Sequence, residues 1–487
     1  MSDPIHADDL TSLLGRWAAG REPLYRLLAA RIRALAEDGA LPPGTGLPAE
    51  RPLAARLSVG RGTVVRAYDL LRDEGVVVRR RGSGTAVAPQ GDPAPGAGGR
   101  PHDGSLFLSM FEPPAASLVL TCAAPDAPPP ELGAAYREAV EELAGFSDDI
   151  GYHPAGLPEL RAAIADRFTA RGLPTSPDEV LVTTGAQQAL DLLVRCHVVA
   201  GDTVVAEQPT YPGALALFSE AAAVVRTVDV GAEGPDVPGL LAAMADGPAL
   251  TYLVPSFHNP TGTLLAPLDR RRIATAAGAH GLLVVDDETM VDLGFEDPAP
   301  SPLAACPGGE RIVTVGSMSK VAWGGLRVGW IRALPPLMDR LRRAKTLTDV
   351  GGDVASQLAA ARLLRSPDAL VRRRRTELRR RHDRLAAELD HRLPDWRYTP
   401  ARGGQTLWVR MPHGDSASFA QVALRHGVAL MPGSALCAGG GGSAWLRLPF
   451  LAPEESLATA VRRIADAWER YDSAGGPRTA PLRVMAV

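Results

Sequence analysis

Apolar residues in the first ninety positions recur at the spacing of helices that bury one face. The pattern predicts three helices, over residues 23–38, 50–57 and 61–74. Two short runs rich in β-branched residues, at 76–80 and 85–88, lie on either side of a glycine-containing turn and predict a hairpin. Three helices and a hairpin in this order form a winged helix-turn-helix, whose third helix can enter a DNA major groove.

From residue 106 to about residue 471 the pattern changes, and helical stretches alternate with short β-branched runs. The predicted strands include residues 180–184, 203–207, 249–255, 282–286 and 311–317. Strands that are separated by helices form βαβ units. The pattern therefore predicts an α/β fold with a mostly parallel sheet.

A segment poor in apolar side chains separates these two regions. Residues 89–104 contain four prolines and five glycines and cannot form a core, which predicts a linker. We therefore predict a DNA-binding domain over residues 20–88, a linker over 89–105, a large domain over 106–472 and a tail over 473–487.

Charge is distributed unevenly along the chain. Residues 51–90 contain eight arginines and three acids, a net charge of +5. The whole chain of 487 residues has 52 basic and 55 acidic residues and a net charge of −3. A uniformly basic nucleic-acid coat is thereby excluded, but a local basic surface on the first domain is not.

The sequence carries no membrane, secretion or metal signal. No apolar run reaches 18 residues, so no membrane span is expected. The polar, acidic residues 1–9 do not resemble a signal peptide. The four cysteines lie far apart and predict neither a metal site nor a disulfide framework, which suits a cytoplasmic protein.

Lysine is almost absent from this arginine-rich chain. The only two lysines are Lys320 and Lys345, and the other 50 basic residues are arginines. Arginine stays protonated, whereas an amine can lose its proton and attack a carbonyl carbon. Either lysine is therefore a candidate for chemistry that arginine cannot perform.

Two motifs of the large domain are typical of phosphate binding. Gly185 lies where a predicted strand runs into a helix, and backbone N–H groups at such a start can bind a phosphate. In isolation, an ordinary glycine at a strand–helix turn is the favoured explanation of that motif. Residues 316–320 have the sequence GSMSK, in which Ser317 and Ser319 precede Lys320, and Arg327 follows. Two hydroxyls and a guanidinium suit a phosphate.

Three further residues follow predicted strands. Tyr211 can stack on a planar ring or simply lie on the surface. Asn259 can donate to a phenolate oxygen, or it can belong to a plain turn. Asp287 ends an apolar run, where a carboxylate can keep a pyridine nitrogen protonated or merely cap the strand.

The first domain closely resembles the GntR-type winged helix over residues 47–85. In that family the arginine after Pro-x-Glu, the start of the recognition helix and the wing touch DNA. The residues at these positions, together with the arginines beside the wing, are Arg51, Arg61, Thr63, Arg79, Arg80, Arg81 and Gly82. Gly60 occupies the position where the family usually has a capping serine. Glycine at this position costs only about a few tenths of a kcal/mol of helix stability. The alternative is a small helical domain with a solvated arginine face.

The large domain resembles fold-type I, aspartate-aminotransferase-like enzymes over roughly residues 115–470, because its motifs occur in the same order. The resemblance implies the fold of a pyridoxal 5′-phosphate-dependent transferase, with a smaller C-terminal α/β subdomain. By this resemblance Lys320 forms the Schiff base, Asp287 pairs with the pyridine nitrogen, Asn259 bonds O3′, Tyr211 stacks on the ring, and Gly185, Ala186, Gln187, Ser317, Ser319 and Arg327 hold the phosphate.

Three other positions bear on how the resemblance is interpreted. Tyr152 is expected to reach the phosphate of a neighbouring subunit, and Arg447 to bind the carboxylate of an effector or substrate. In the family's Asp-x-x-Tyr motif the tyrosine donates to O3′. Here that position is Met290, which has no donor. Cofactor binding should survive this change, but efficient transamination should not. The alternative is that Met290 only packs against the sheet and that a nearby hydroxyl replaces the tyrosine.

A GntR-type winged helix joined to an aminotransferase-like domain resembles the MocR/GabR regulators. The resemblance implies a cytoplasmic transcription factor that binds double-stranded operator DNA, pyridoxal phosphate and an amine or amino-acid effector, and that forms a head-to-tail homodimer. Two alternatives stay open. One is an active aminotransferase that carries a DNA module, and the other is a DNA-binding architectural protein that has lost its cofactor.

Overall fold

The computed structural model describes residues 5–14, 17, 24–37, 41, 45–57, 59–73, 76–80, 84–87, 117–296, 298–438 and 440–473. The chain divides into two compact units, Met1–Pro101 and His102–Val487. The predicted linker, residues 89–105, lies outside the described residues, as does all of the predicted tail except its first residue.

The first unit contains four described helices and a hairpin. These are α1 (Ala7–Leu14), α2 (Leu24–Glu37), α3 (Glu50–Arg56), α4 (Arg61–Asp73), β1 (Val77–Arg80) and β2 (Gly84–Val87). Strands β1 and β2 are antiparallel. Helix α1 was not predicted from the sequence. It is short, and it buries only Leu10 and Leu14 among its side chains, which is too few to show a helical period.

Helix α4 is held by the other elements of its unit. It packs on α2 and α3, and its apolar side chains share one core with those of β1 and β2. The buried Tyr68 hydroxyl donates to the Pro48 carbonyl at 2.9 Å and so ties α4 to the turn before α3. Because its packed face is fixed in this way, the start of α4 is left exposed at Arg61.

The second unit is built from helices around two sheets. Its α-helices are α5 (Pro130–Leu143), α6 (Pro158–Ala170), α7 (Ala186–His197), α8 (Pro212–Glu220), α9 (Val237–Ala245), α10 (Pro267–His280), α11 (Leu337–Asp349), α12 (Val354–Arg365), α13 (Asp368–Arg392), α14 (Ser416–Arg425) and α15 (Glu454–Ser473). No described helix is both long enough and apolar enough to cross a bilayer.

The larger sheet has eight strands in the order β4–β11–β10–β9–β8–β5–β6–β7. They are β4 (Val180–Thr183), β5 (Thr203–Gln208), β6 (Val224–Gly231), β7 (Gly234–Pro235), β8 (Leu250–Leu253), β9 (Val284–Asp287), β10 (Ile312–Ser317) and β11 (Gly329–Arg332). Strand β11 is antiparallel to both neighbours and β7 to β6, while the other pairs are parallel. The predicted mostly parallel α/β sheet is confirmed.

The smaller sheet follows the order β12–β13–β15–β14–β3. Its strands are β3 (Leu118–Leu120), β12 (Arg397–Tyr398), β13 (Thr406–Arg410), β14 (Val428–Pro432) and β15 (Trp445–Pro449). In the larger sheet, β4, β5, β8, β9 and β10 run in one direction, so their carboxyl ends meet at a single edge. That edge of an open α/β sheet is where ligands bind.

Candidate functional site

Lys320 lies three residues beyond the end of β10, at the carboxyl edge of the larger sheet. Its Nζ donates to the Ala123 carbonyl at 2.6 Å, and its own carbonyl accepts from Gln405 Nε2 at 3.2 Å. Burial lowers the pKa of the Lys320 amine; Arg447 lowers it further, and Asp287 opposes the change. A lowered pKa increases the fraction of neutral, nucleophilic amine at a given pH.

Asp287 is the last residue of β9 and is buried. Its Oδ2 accepts from the Tyr252 hydroxyl at 2.7 Å and its Oδ1 from the Thr289 N–H at 3.0 Å. Burial raises the pKa of the Asp287 carboxyl, while these hydrogen bonds and the charge of Lys320 lower it. A buried carboxylate held in this way can be balanced by a cationic ring nitrogen.

Tyr252 was not identified from the sequence. It lies in β8 directly opposite Val285 of β9, and Asp287 is two residues further along β9 on the same face. The strand register therefore makes Tyr252 and Asp287 diagonal neighbours. Knowledge of the pairing of β8 with β9 would have identified this contact.

The ends of β4 and β10 are brought together by glycine. Gly329 of β11 pairs with Ser317 on one side and with Thr183 on the other. A Cβ on Gly329 would lie 2.7 Å from the Gly185 backbone and 2.9 Å from the Gly316 carbonyl. Only glycine allows this approach without a shift of backbone, so β11 keeps the two strand ends adjacent.

Gly185 and Arg327 form one side of a candidate anion site. Gly185 has φ +115°, and a Cβ at this position would lie 3.2 Å from an Arg327 guanidinium nitrogen. Arg327 donates to the Thr184 carbonyl. Helix α7 starts at Ala186 without a side-chain cap, so its first N–H groups have no side-chain acceptor. These N–H groups and the guanidinium suit a phosphate.

Ser317 and Ser319 lie at the end of β10, beside this anion site. The one hydroxyl hydrogen of Ser317 can be donated either to Ser319 Oγ at 3.0 Å or to the Val328 carbonyl at 3.2 Å. The Ser319 N–H donates to Ser317 Oγ at 3.1 Å. The two hydroxyls therefore lie together at the strand end, where they can donate to an anion.

Two predicted cofactor residues have a buried side-chain oxygen without a hydrogen-bond partner among the described residues. Asn259 is 8% exposed, and its amide oxygen has no hydrogen-bond partner among the described residues. Gln187 Nε2 donates to the Gly213 carbonyl at 3.0 Å, and its oxygen also lacks a partner within the described part of the chain. Buried polar atoms normally have partners, so these two atoms fit a site that binds a polar ligand.

Tyr211 lies beside Gln187, at the start of α8. A Cβ on Gly213 would come within 2.5 Å of both the Tyr211 ring and the Gln187 amide oxygen. Burial raises the pKa of the Tyr211 hydroxyl, the nearby Asp287 raises it further, and Arg447 opposes the change. The Tyr211 hydroxyl therefore lies close enough to Asp287 and Arg447 for both charges to act on it.

Arg447 lies in β15, is 1% exposed, and has a pKa that burial lowers to about 10, so that it stays protonated at neutral pH. One terminal nitrogen donates to the Thr121 carbonyl. Among the residues that the structure describes, its Nε has no hydrogen-bond partner and no acidic side chain forms an ion pair with it. A buried charge without a counter-charge is costly, so this position favours an anionic ligand.

The segment Thr121–Ala123 was also missed by the sequence analysis. It follows β3, and its first and last carbonyls accept from Arg447 and Lys320 respectively. Main-chain carbonyls have no side-chain signature, so no pattern in the sequence could have indicated these contacts.

Tyr152 and Met290 differ in their exposure. Tyr152 is 66% exposed on the loop between α5 and α6. Met290 is 2% exposed and belongs to the same apolar core as Phe257 and Leu293. The thioether of Met290 therefore packs in the core and donates no hydrogen bond.

The predicted DNA-contacting residues of the first unit are only partly described. Arg51 and Arg61 are exposed in the first turns of α3 and α4, and Thr63 is half-buried. The backbones of Arg79 and Arg80 lie in β1. Arg81 and Gly82 are outside the described residues.

Residues 125–464 match the family Aminotransferase class I and II, and residues 24–87 match the gntR family of bacterial regulatory proteins. The chain is 35% identical to a 2-aminoadipate transaminase of Thermus thermophilus, over 68% of this chain and 83% of that protein. It is 29% identical to the probable rhizopine catabolism regulatory protein MocR of Rhizobium meliloti, over 82% of this chain and 86% of that protein.

A solved structure supports the same assignment for the large unit. The crystal structure of LysN, an α-aminoadipate aminotransferase of Thermus thermophilus complexed with N-(5′-phosphopyridoxyl)-L-leucine, matches with a TM-score of 0.68 and 32% identity. The match covers 76% of this chain and 96% of that chain. With a gntR-family domain followed by an aminotransferase class I and II domain, the chain belongs to the MocR-type family of transcriptional regulators.

Proposed function

We propose that this protein is a transcriptional regulator that binds double-stranded operator DNA through its winged-helix unit. Its aminotransferase-like unit senses pyridoxal 5′-phosphate, or an amine or amino acid that reacts with the bound cofactor, without efficient turnover. Operator DNA is its site of action, so we assign the protein to the cytoplasm.

The observation that carries the sensing role is the unbalanced charge of Arg447. The guanidinium is buried near Lys320 and Tyr211, and it lacks an acidic partner among the residues that the structure describes. A ligand carboxylate would supply the missing counter-charge and accept from two guanidinium nitrogens. An effector that carries both an amine and a carboxylate would then lie between Arg447 and Lys320.

The residues of the site fit pyridoxal phosphate. Lys320 would hold the aldehyde carbon, Asp287 the ring nitrogen and Asn259 the phenolate oxygen, with Tyr211 against the ring. The phosphate would be held by Gly185, Ala186, Gln187, Ser317, Ser319 and Arg327. When bound, this cofactor supplies an electrophilic carbon and an electron-withdrawing ring. The uncapped start of α7, whose first N–H groups point to no side-chain acceptor among the described residues, supports this assignment.

The protein side of the chemistry centres on Lys320. Its lowered pKa lets the amine react as a nucleophile and later take up a proton at Nζ. Burial of Asp287 and Arg447 excludes water and strengthens their electrostatic interactions with a ligand. Met290 supplies no donor at the position where the family's tyrosine bonds the phenolate oxygen, so exchange of amines is expected and rapid turnover is not.

Met290→Tyr should lower the pH at which the visible spectrum of the bound cofactor changes. A tyrosine hydroxyl there would donate to the phenolate oxygen and stabilise its anion. Because Met290 is 2% exposed, the larger ring should also cost about 1–3 kcal/mol of stability by overpacking. Met290→Phe is the matched control, since it adds the ring without the hydroxyl. An equal spectral shift in both variants would contradict the interpretation.

Operator binding should respond to the sensed ligand. We expect pyridoxal phosphate, alone or with candidate amines and amino acids, to change the affinity of the full-length protein for DNA near its own gene. Allosteric couplings of about 1–3 kcal/mol are typical, which is about 5- to 150-fold in affinity. An unchanged affinity across all ligands would refute the sensor. Many rapid turnovers with an amino acid and a 2-oxo acid would instead favour the aminotransferase alternative.

Arg51→Ala and Arg61→Ala should weaken operator binding and leave the visible band of the bound cofactor unchanged. If either guanidinium bonds a guanine, the loss should be about 1–3 kcal/mol and base-specific. If it contacts phosphate, the loss should be similar across sequences and the salt slope should fall by about one. Arg72→Ala is the control, because Arg72 lies in the last turn of α4, away from Arg61. No loss from either variant would exclude this surface.

We also propose a head-to-tail homodimer in which Tyr152 reaches the phosphate of the neighbouring subunit. Two large side chains two residues apart, Ile150 and Tyr152, are 83% and 66% exposed. A partner subunit would cover them. Sedimentation of the full-length protein at rising concentration would test this assembly, and a monomer at every concentration would exclude it.

A further inference from the structure

We propose that Lys345 is a positioning residue for the candidate phosphate loop, residues 184–187, and that it acts through Asp349 and Gln188. The inference rests on the proposed function, which assigns that loop to the cofactor phosphate. It concerns the second of the chain's two lysines, which the proposed chemistry leaves without a role.

Lys345 lies on α11 with its side chain 1% exposed. Its Nζ donates to Asp349 Oδ1 at 2.6 Å, one helical turn further on, and the Gly351 N–H donates to the same oxygen at 3.1 Å. Burial raises the pKa of the Asp349 carboxyl, but the hydrogen bonds from Lys345 and Gln188 outweigh burial and hold it below its usual value. Asp349 is therefore a carboxylate at neutral pH.

The second oxygen of Asp349 orients Gln188, in the first turn of α7. Gln188 Nε2 donates to Asp349 Oδ2 at 2.7 Å, and Gln188 Oε1 accepts from the Thr184 N–H at 2.8 Å. A carboxylate only accepts, and a backbone N–H only donates, so the reverse orientation of the amide would lose both bonds. Lys345 therefore holds the Asp349 carboxylate in place. The carboxylate orients the Gln188 amide, and the amide oxygen in turn binds the Thr184 N–H.

Thr184 is the last residue before Gly185, so its orientation decides where the following N–H groups point. Its N–H is held by Gln188 and its carbonyl by Arg327. Gly185 itself has φ +115°, a conformation that its lack of a side chain allows but does not enforce. The hydrogen bonds to Thr184 therefore enforce the conformation of the loop and preorganise its N–H groups for an anion.

The alternative is that Lys345 and Asp349 merely stabilise α11 as an ion pair one turn apart. The two explanations differ in their effect on ligands. A helix-stabilising pair affects the melting temperature and is indifferent to the phosphate. A positioning pair affects affinity for a ligand with a phosphate more than for the same ligand without it.

The test compares pyridoxal phosphate with pyridoxal, which lacks the phosphate, by equilibrium titration of the full-length protein. Lys345→Met removes the charge. Gln188→Met changes no charge and removes both amide hydrogen bonds, so it serves if Lys345→Met folds poorly. Arg332→Met is the matched control, because the buried Arg332 forms a 2.9 Å ion pair with the half-buried Glu179 at the opposite end of β4.

We expect Lys345→Met and Gln188→Met to raise the Kd of pyridoxal phosphate about tenfold and that of pyridoxal by no more than about twofold. Arg332→Met should leave the ratio of the two Kd values unchanged, whatever it does to the melting temperature. Equal losses for both ligands, or no loss, would overturn the positioning role. If the unaltered protein bound neither ligand, the proposed function itself would fail, and the inference with it.

Discussion

Lys320→Ala is expected to abolish the visible absorption of protein-bound pyridoxal phosphate. The band depends on a covalent bond between the cofactor aldehyde and an uncharged amine, and alanine has none. Lys320→Arg should abolish it too, since a guanidinium stays protonated and does not form that bond. The measurement is the absorption spectrum of each purified variant after incubation with the cofactor.

The pH dependence of cofactor capture gives a second measure of the same residue. Burial lowers the pKa of Lys320, so the neutral amine is populated at a lower pH than in a free lysine, whose pKa is about 10.4. The capture rate should rise with pH through this lowered pKa and level off at a lower pH than it would for a free lysine. A borohydride-stable adduct that persists in Lys320→Ala would place the bond elsewhere. Lys345 would then be the alternative, despite its 2.6 Å ion pair with Asp349.

Arg447→Met should remove the preference for effectors that carry a carboxylate. Truncating one partner of a buried, hydrogen-bonded charge pair costs about 2–5 kcal/mol, so affinity for an amino acid should fall at least about 30-fold. An amine that lacks the carboxylate should bind equally well to both proteins. The measurement is the change in the visible spectrum as each ligand is titrated into the cofactor-loaded protein.

For the protein without ligand, we predict the effect of Arg447→Met on the melting temperature. Methionine has a similar reach and no charge, so Arg447→Met removes a buried cation without a counter-charge. The melting temperature of the ligand-free variant should therefore fall little, even though the Thr121 carbonyl loses its donor. A large fall would show that Arg447 serves mainly to hold the segment Thr121–Ala123.

Most of the fold could be predicted because its strands are strongly marked. The runs that became β4, β5, β8, β9 and β10 are apolar, β-branched and bounded by turns, and each is buried in the sheet. Helix α1 lacks such a signal. Its eight residues fold because Leu10 and Leu14 meet a core that other elements supply, and a local pattern does not contain that information.

The sequence could indicate those residues of the candidate site whose side-chain type itself suggests a chemical role. Lys320, Asp287 and Arg447 have few roles when they are buried, and the structure brings them into one cluster. The contacts that orient them depend on register and backbone instead. Tyr252 reaches Asp287 only because β8 lies beside β9. Gln188 reaches Asp349 across 161 positions of sequence.

The carbonyls of Thr121 and Ala123 act as internal competitors for the two cations of the site. An incoming carboxylate exchanges one acceptor of Arg447 for another. The bond from the charged Arg447 guanidinium to the neutral Thr121 carbonyl already contributes about 1.5–3 kcal/mol, so a carboxylate that replaces this carbonyl gains less than one that meets a free nitrogen. Because the ligand must displace the Thr121 carbonyl from Arg447, its affinity is limited, and it dissociates quickly when its concentration falls. The occupancy of such a site adjusts quickly to the current ligand concentration and does not depend on earlier concentrations.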